Sequence, residues 1–171
     1  MDKGNCFFSA TTLNKIASEL DTSYHNACTG FEVIMATTEI SVYKILNYFI
    51  KKGMKESWYK IIDPQLVDSY ITLTNSDYGN KKQIDELFEE VLPDVQDIWI
   101  VIPNITCRWT RRTALLFINK LKTKGCAGLL FYSSGKDNLG SVLIKQTNWS
   151  VKQLPIQQIL HDTPKLVDDG F

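Results

Sequence analysis

Two stretches of this chain, Ile98 to Ile102 and Cys126 to Tyr132, are apolar almost without a break, and they constrain the fold more than any other feature. Each is too short for a free-standing helix and lacks polar residues at alternate positions, the pattern of a strand buried on both faces. Such strands belong to parallel sheets covered by helices on either side. The intervening sequence supplies the helices. Thr12 to Leu20 carries Leu13, Ile16, Ala17 and Leu20 at helical spacing, followed by a polar stretch with Thr22, Ser23, His25 and Asn26. Ile40 to Lys52 has a broad apolar face and ends at Gly53, a usual helix stop. Lys82 to Val91 is closed by Pro93, and Trp109 to Lys124 by Gly125.

Further strands are expected at Asn5 to Phe8, Phe31 to Ala36 and Trp58 to Ile62, whereas Leu66 to Leu73 fits either a strand or a short helix. Ser141 to Leu154 reads as two strands meeting near Thr147-Asn148, expected to add as an antiparallel hairpin at one edge. The expectation is an α/β fold with a mostly parallel twisted sheet and helices on both faces. Residues 1–155 form the core and 156–171 a tail.

Composition narrows the function classes. The chain has 171 residues with 19 Lys+Arg against 19 Asp+Glu, so a generic polyanion binder is disfavoured and only a local basic patch remains open. At 44% hydrophobic residues it is too apolar for a disordered tail. No run reaches the ~18 apolar residues of a membrane span, and MDKGNCFF lacks the flanks of a signal peptide, so an intracellular domain with no membrane partner is expected. Cys6, Cys28, Cys107 and Cys126 form no C-x-x-C pair, and His25 and His161 stand alone, which points to structural thiols rather than a metal site. No serine sits in a nucleophile-elbow context for a hydrolase triad.

In parallel α/β sheets the ligand crevice lies beyond the carboxyl ends of the strands. The residues there are Ser9 to Lys15, Thr37 to Glu39, Pro103-Asn104 and Ser133 to Asp137. A phosphate-binding loop would read G-x-x-x-x-G-K-[ST] after the first strand. The segment Ser9 to Ile16 keeps Lys15 at that spacing, but Ser9 and Asn14 replace the glycines and Ile16 the hydroxyl. Glu39 follows the second strand, where a carboxylate either polarises an attacking water or simply opens the next helix. After Ile98 to Ile102, Pro103-Asn104 stands where an aspartate would hold magnesium.

With these residues in this order, the chain resembles a reduced RecA-fold ATPase core, similar to the recombinase paralogues and more distantly to KaiC-type proteins. Ala36-Thr37-Thr38-Glu39 and the helix ending at Gly53 resemble the family's strand, I-D-T-E and helix. Ile100 to Thr106 is similar to V-V-I-D-S-x-T with the aspartate lost, and Trp109 to Tyr132 matches the long helix and next strand. The small nematode recombinase-paralogue partner is the nearest type.

The resemblance implies a non-catalytic subunit, not an enzyme by itself. It would form a heterodimer with another RecA-like paralogue and stabilise the recombinase filament on single-stranded DNA. The setting would be nuclear, in homologous recombination and DNA repair. Lys15, Glu39 and Asn14 would be the cofactor-binding residues, with ATP, where held at all, at a composite interface with the partner. The alternatives are a structural subunit of an Elongator-type tRNA-modification assembly and a small KaiC-like ATPase.

Arg108, Arg111 and Arg112 cluster around Trp109 at the start of the long helix. Arginines with an interleaved aromatic either contact DNA, face a partner subunit, or form plain solvated surface. Lys120, Lys122 and Lys124 read as solvent-facing charge near the helix end. Trp58 and Tyr59 are expected in the core, and an exposed Trp99 or Trp149 would mark an interface.

Overall fold

The computed structural model describes residue 18, residues 20–28, 30–71, 77–106, 110–134 and 151–154, of which 77–79 and 151–154 as backbone only. Helix α1 covers residues 20–26. Strand β1 (Glu32–Ala36) leads to α2 (Glu39–Lys51), then a 3-10 turn (Glu56–Trp58) and β2 (Tyr59–Ile61). Helices α3 (Pro64–Tyr70) and α4 (Asp77–Glu90) precede β3 (Trp99–Ile105). Helix α5 (Arg111–Thr123), β4 (Gly128–Ser133) and β5 (Val151–Leu154) follow.

The described strands form one sheet in the order β2-β3-β4-β1-β5, and every pair is parallel. The chain therefore leaves β1 toward one edge through α2 and then steps back across the sheet through α3, α4 and α5. Right-handed crossovers in opposite directions put their helices on opposite faces. The packing follows that rule. On one face Val33, Ile100, Ile102, Leu129 and Phe131 meet α3, α4 and α5. On the other, Ile34, Trp99, Val101 and Leu130 meet α1 and α2. Both apolar runs thus contribute alternate residues to two cores, which is why neither shows a polar face.

Three expectations change. Among the described residues no antiparallel edge hairpin occurs: β5 lies at the edge but runs parallel to β1, with Val33 opposite Val151. Residues 141–150 lie outside the described residues. The polar stretch Thr22 to Asn26 is helical, because Leu20, Ser23 and Ala27 recur at helical spacing on a buried side while the polar residues face out. Trp58 is 41% exposed, against the expectation of a core position, and Trp99, at 3%, is buried and so does not mark an interface. Trp99 opens a central strand and its ring lies on Gly128, where an added Cβ would come within 2.6 Å of the indole. Leu66 to Leu73 resolves as helix over Pro64–Tyr70, with Asp63 as N-cap and Pro64 in the first turn, where a missing N–H costs nothing.

Candidate functional site

The strands β1 and β4 are neighbours whose connections leave in opposite directions, so the crevice of this sheet opens beyond their carboxyl ends. The loop that the described structure places there is Thr37-Thr38, leading into α2. Thr38 is the N-cap: its Oγ1 accepts from the Ser41 backbone N–H at 3.1 Å, and the two hydroxyls lie 2.8 Å apart. Glu39 follows in the first turn and is exposed, where a carboxylate complements the positive end of the helix. The same carboxylate opposes binding of a phosphate at this helix start.

β3 passes the crevice with an irregularity that its sequence explains. Pro103 has no N–H for the ladder, and the pairing with β4 shifts between Ile102 and Ile105. The strand nevertheless continues to Ile105 rather than ending at Ile102. Past the shift, Ser134 Oγ donates to Asn104 Oδ1 at 2.8 Å, and Ser133 Oγ donates to the Ile105 carbonyl at 3.2 Å. Thr106 Oγ1 donates to Asp68 Oδ2 from α3. The polar atoms at this edge are thus largely engaged with one another.

On the β3 side, α5 starts with the same cap as α2. Thr110 Oγ1 accepts from the Thr113 backbone N–H at 3.1 Å, and its hydroxyl lies 2.9 Å from that of Thr113. Its first turn holds Arg111 and Arg112, both exposed. Positive charge at a helix start works against the helix dipole and favours an anionic neighbour there. Arg108, Trp109, Asn14 and Lys15 lie outside the described residues. Of the candidate residues, then, the structure places Glu39 at one helix start and Arg111 and Arg112 at another, on opposite sides of β4.

No group of three or more His, Cys, Asp or Glu capable of holding a metal occurs among the described residues. Cys126 is buried, and burial pushes its thiol up to about 12, consistent with a structural role. Asp68 enters the edge through Thr106, and a segment whose sequence fits strand or helix alike carries no sign of that direction. Lys120 is likewise more than solvated charge: its Nζ lies 2.6 Å from Asp85 Oδ1 on α4. Among the described residues, no helix is long and apolar enough to cross a membrane.

No family model matches this chain, and no curated protein matches it. Among solved structures it is similar to the C-terminal domain of the DEAD-box protein Dbp5, at 14% identity and a TM-score of 0.28, over 94% of this chain and 93% of that one. A likeness at that level decides neither fold nor function. What the geometry establishes is an α/β domain with an all-parallel sheet and a hydroxyl-lined carboxyl edge.

Proposed function

We propose that this chain is a non-catalytic, RecA-like α/β subunit that acts through a partner chain rather than by turning over nucleotide. The observation that carries this reading is the carboxyl edge. Where phosphoryl transfer needs a magnesium-holding carboxylate, β3 holds Pro103-Asn104. In the sequence, the phosphate-loop position, Ser9 to Ile16, which lies outside the described residues, lacks both glycines and the hydroxyl. Asn104 is engaged by Ser134, and Glu39 sits on the helix start that would otherwise attract phosphate.

Pairing with another chain is supported by apolar surface. Edge strand β2 carries Ile61 at 44% exposure, flanked by Trp58, and α3 presents Leu66 at 44%. Ile40, at 63%, stands beside Glu39 at the carboxyl edge. The specific setting we propose is a heterodimer with a RecA-like recombinase paralogue, acting on the recombinase filament on single-stranded DNA. Arg111 and Arg112 would lie toward DNA or the partner. The test is affinity purification from the native source, together with ATP turnover by the purified chain. A Walker-competent paralogue in the eluate and no turnover by the chain alone is the expected result. Steady hydrolysis by the isolated chain would overturn the non-catalytic reading, and recovery of Elongator-type subunits would overturn the recombination setting.

A further inference from the structure

At the opposite end of the sheet, before the amino ends of β3 and β4, lies a cavity of about 450 Å³, within the size range of small-molecule sites. Tyr24 from α1, Trp58 from the 3-10 turn and Trp99 from the start of β3 line it, with Met54 and the exposed Cys28 alongside. Among the described lining residues, Asp97 alone carries a formal charge. We propose that this cavity binds a methylated ammonium group. The exposed Trp58 ring and Tyr24 attract such a cation through their quadrupoles while its methyl groups pack against them. Trp99, 3% exposed between Phe49 and Gly128, closes the wall without a free face, and the Asp97 carboxylate supplies the counter-charge.

Two further observations support that chemistry. The first is the backbone of Asp97. It is the one non-glycine residue among those described with a positive φ, 62°, in a turn where the Ile98 N–H reaches the Val95 carbonyl at 3.3 Å. Its own N–H donates to the carbonyl of Gly125 at 2.8 Å, and Gly125 also has a positive φ. Aspartate is one of the few non-glycine residues that tolerate this conformation, so the turn fixes a carboxylate-bearing residue in the cavity wall. The second is Lys55. Its ammonium already stands over the Trp58 ring, 5.3 Å from the centroid, so this ring holds a cation from the chain itself. Because Lys55 repels a second positive charge, it tunes affinity at the cavity mouth.

A methylated ammonium can come from a free small molecule or from a trimethylated lysine of a protein. The experiment titrates the full chain with choline, with its uncharged carbon isostere 3,3-dimethyl-1-butanol, and with a short peptide carrying trimethyllysine. The readout is the indole N–H signals of Trp58 and Trp99 in NMR. Choline or the peptide is expected to shift both signals and to bind about tenfold or more tightly than the isostere. Choline ahead of the peptide identifies a small-molecule site, and the reverse order a protein side chain. Asp97→Asn keeps a side chain that tolerates positive φ and is expected to abolish the preference for charge. Lys55→Gln is expected to tighten cation binding several-fold, a change that mere loss of structure would not produce. Equal affinity for choline and the isostere, no shift with any probe, or weaker cation binding in Lys55→Gln would each overturn the proposal.

Discussion

The two faces of the sheet are packed by different means. The face toward α3, α4 and α5 is closed by three helices with mainly aliphatic side chains and three buried phenylalanines, Phe88, Phe117 and Phe131, the first two with ring centroids 5.7 Å apart. The face toward α1 and α2 is covered by two helices and relies on larger rings. Phe49 touches Tyr24 at 5.2 Å and Trp99 at 5.3 Å, and the cavity opens beside them. Small branched side chains interdigitate and fill space, whereas a few large rings leave room between them. The hollow on the aromatic face is lined by rings next to the core, whereas the one between α4 and α5 is lined largely by polar side chains such as Lys81, Asp85, Lys120 and Lys124.

The largest test of that contrast removes one fully buried ring from each side. Phe117→Ala leaves a void among α4, α5 and the sheet, and should destabilise the protein by about 4–5 kcal/mol. Phe49→Ala removes a ring beside an existing cavity, where Tyr24 can move inward, and should cost about 3 kcal/mol, the low end of the range. Denaturant unfolding of both variants measures this. Equal losses would mean that the hollow confers no capacity to relax.

Gly128→Ala probes how tightly the aromatic face is held where it meets the sheet. The added methyl would overlap the Trp99 indole at 2.6–2.7 Å. The indole is held between Phe49 and the β4 backbone, so relief requires moving the ring toward the cavity. The expected loss is about 2–3 kcal/mol, accompanied by a changed Trp99 emission spectrum. A loss under about 0.5 kcal/mol would show that the ring moves freely and that the aromatic face is loosely packed.

Much of the layered fold is readable in the sequence, because the runs around Ile100 and Leu130 can be buried only between two helical layers. Strand order is not readable, since parallel strands joined by helices carry no local sign of which neighbour each one pairs with. The position of β5 beside β1, rather than in a hairpin, belongs to that class. At the carboxyl edge, Thr37 to Glu39 and Pro103-Asn104 follow from strand ends alone, but the Asp68–Thr106 contact joins residues 38 apart. The cavity was hidden for another reason. Asp97 reveals itself only through its φ, and Trp58 and Trp99 look alike until the sheet buries one of them.

A smaller effect of opposite sign is expected on the aromatic face. Ser23 is fully buried, and its hydroxyl has no hydrogen-bond partner among the described residues. A buried unpaired hydroxyl is destabilising relative to a methyl, so Ser23→Ala should stabilise the protein by about 1 kcal/mol. Thr113, buried on the other face, has its hydroxyl 2.9 Å from that of Thr110, and Thr113→Ala should destabilise by a similar amount. Melting curves of the two variants should therefore shift in opposite directions. Destabilisation in both would mean that the Ser23 hydroxyl has a partner in solution.

The smallest effect concerns charge on the closed face. Asp85 on α4 accepts a hydrogen bond from Lys120 at 2.6 Å and lies 3.3 Å from Lys81, and the Lys120 bond chiefly holds its carboxyl below the ordinary value. Lys120 also stands over the Phe88 ring at 5.8 Å, which ties the pair to the aromatic contact beneath it. A lowered carboxylate pKa stabilises the folded state fully above the unfolded value, near 3.8, and that stabilisation is lost as the pH falls through the lower folded value. Both side chains are about a third exposed, so solvent screening limits the pair to about 0.5 kcal/mol. Asp85→Asn should thus lower stability slightly at pH 7, with the difference shrinking as the pH falls below the unfolded value and with 1 M salt reducing it at pH 7. An undiminished difference at pH 2 would show that the side chain acts through packing between α4 and α5 rather than through its charge.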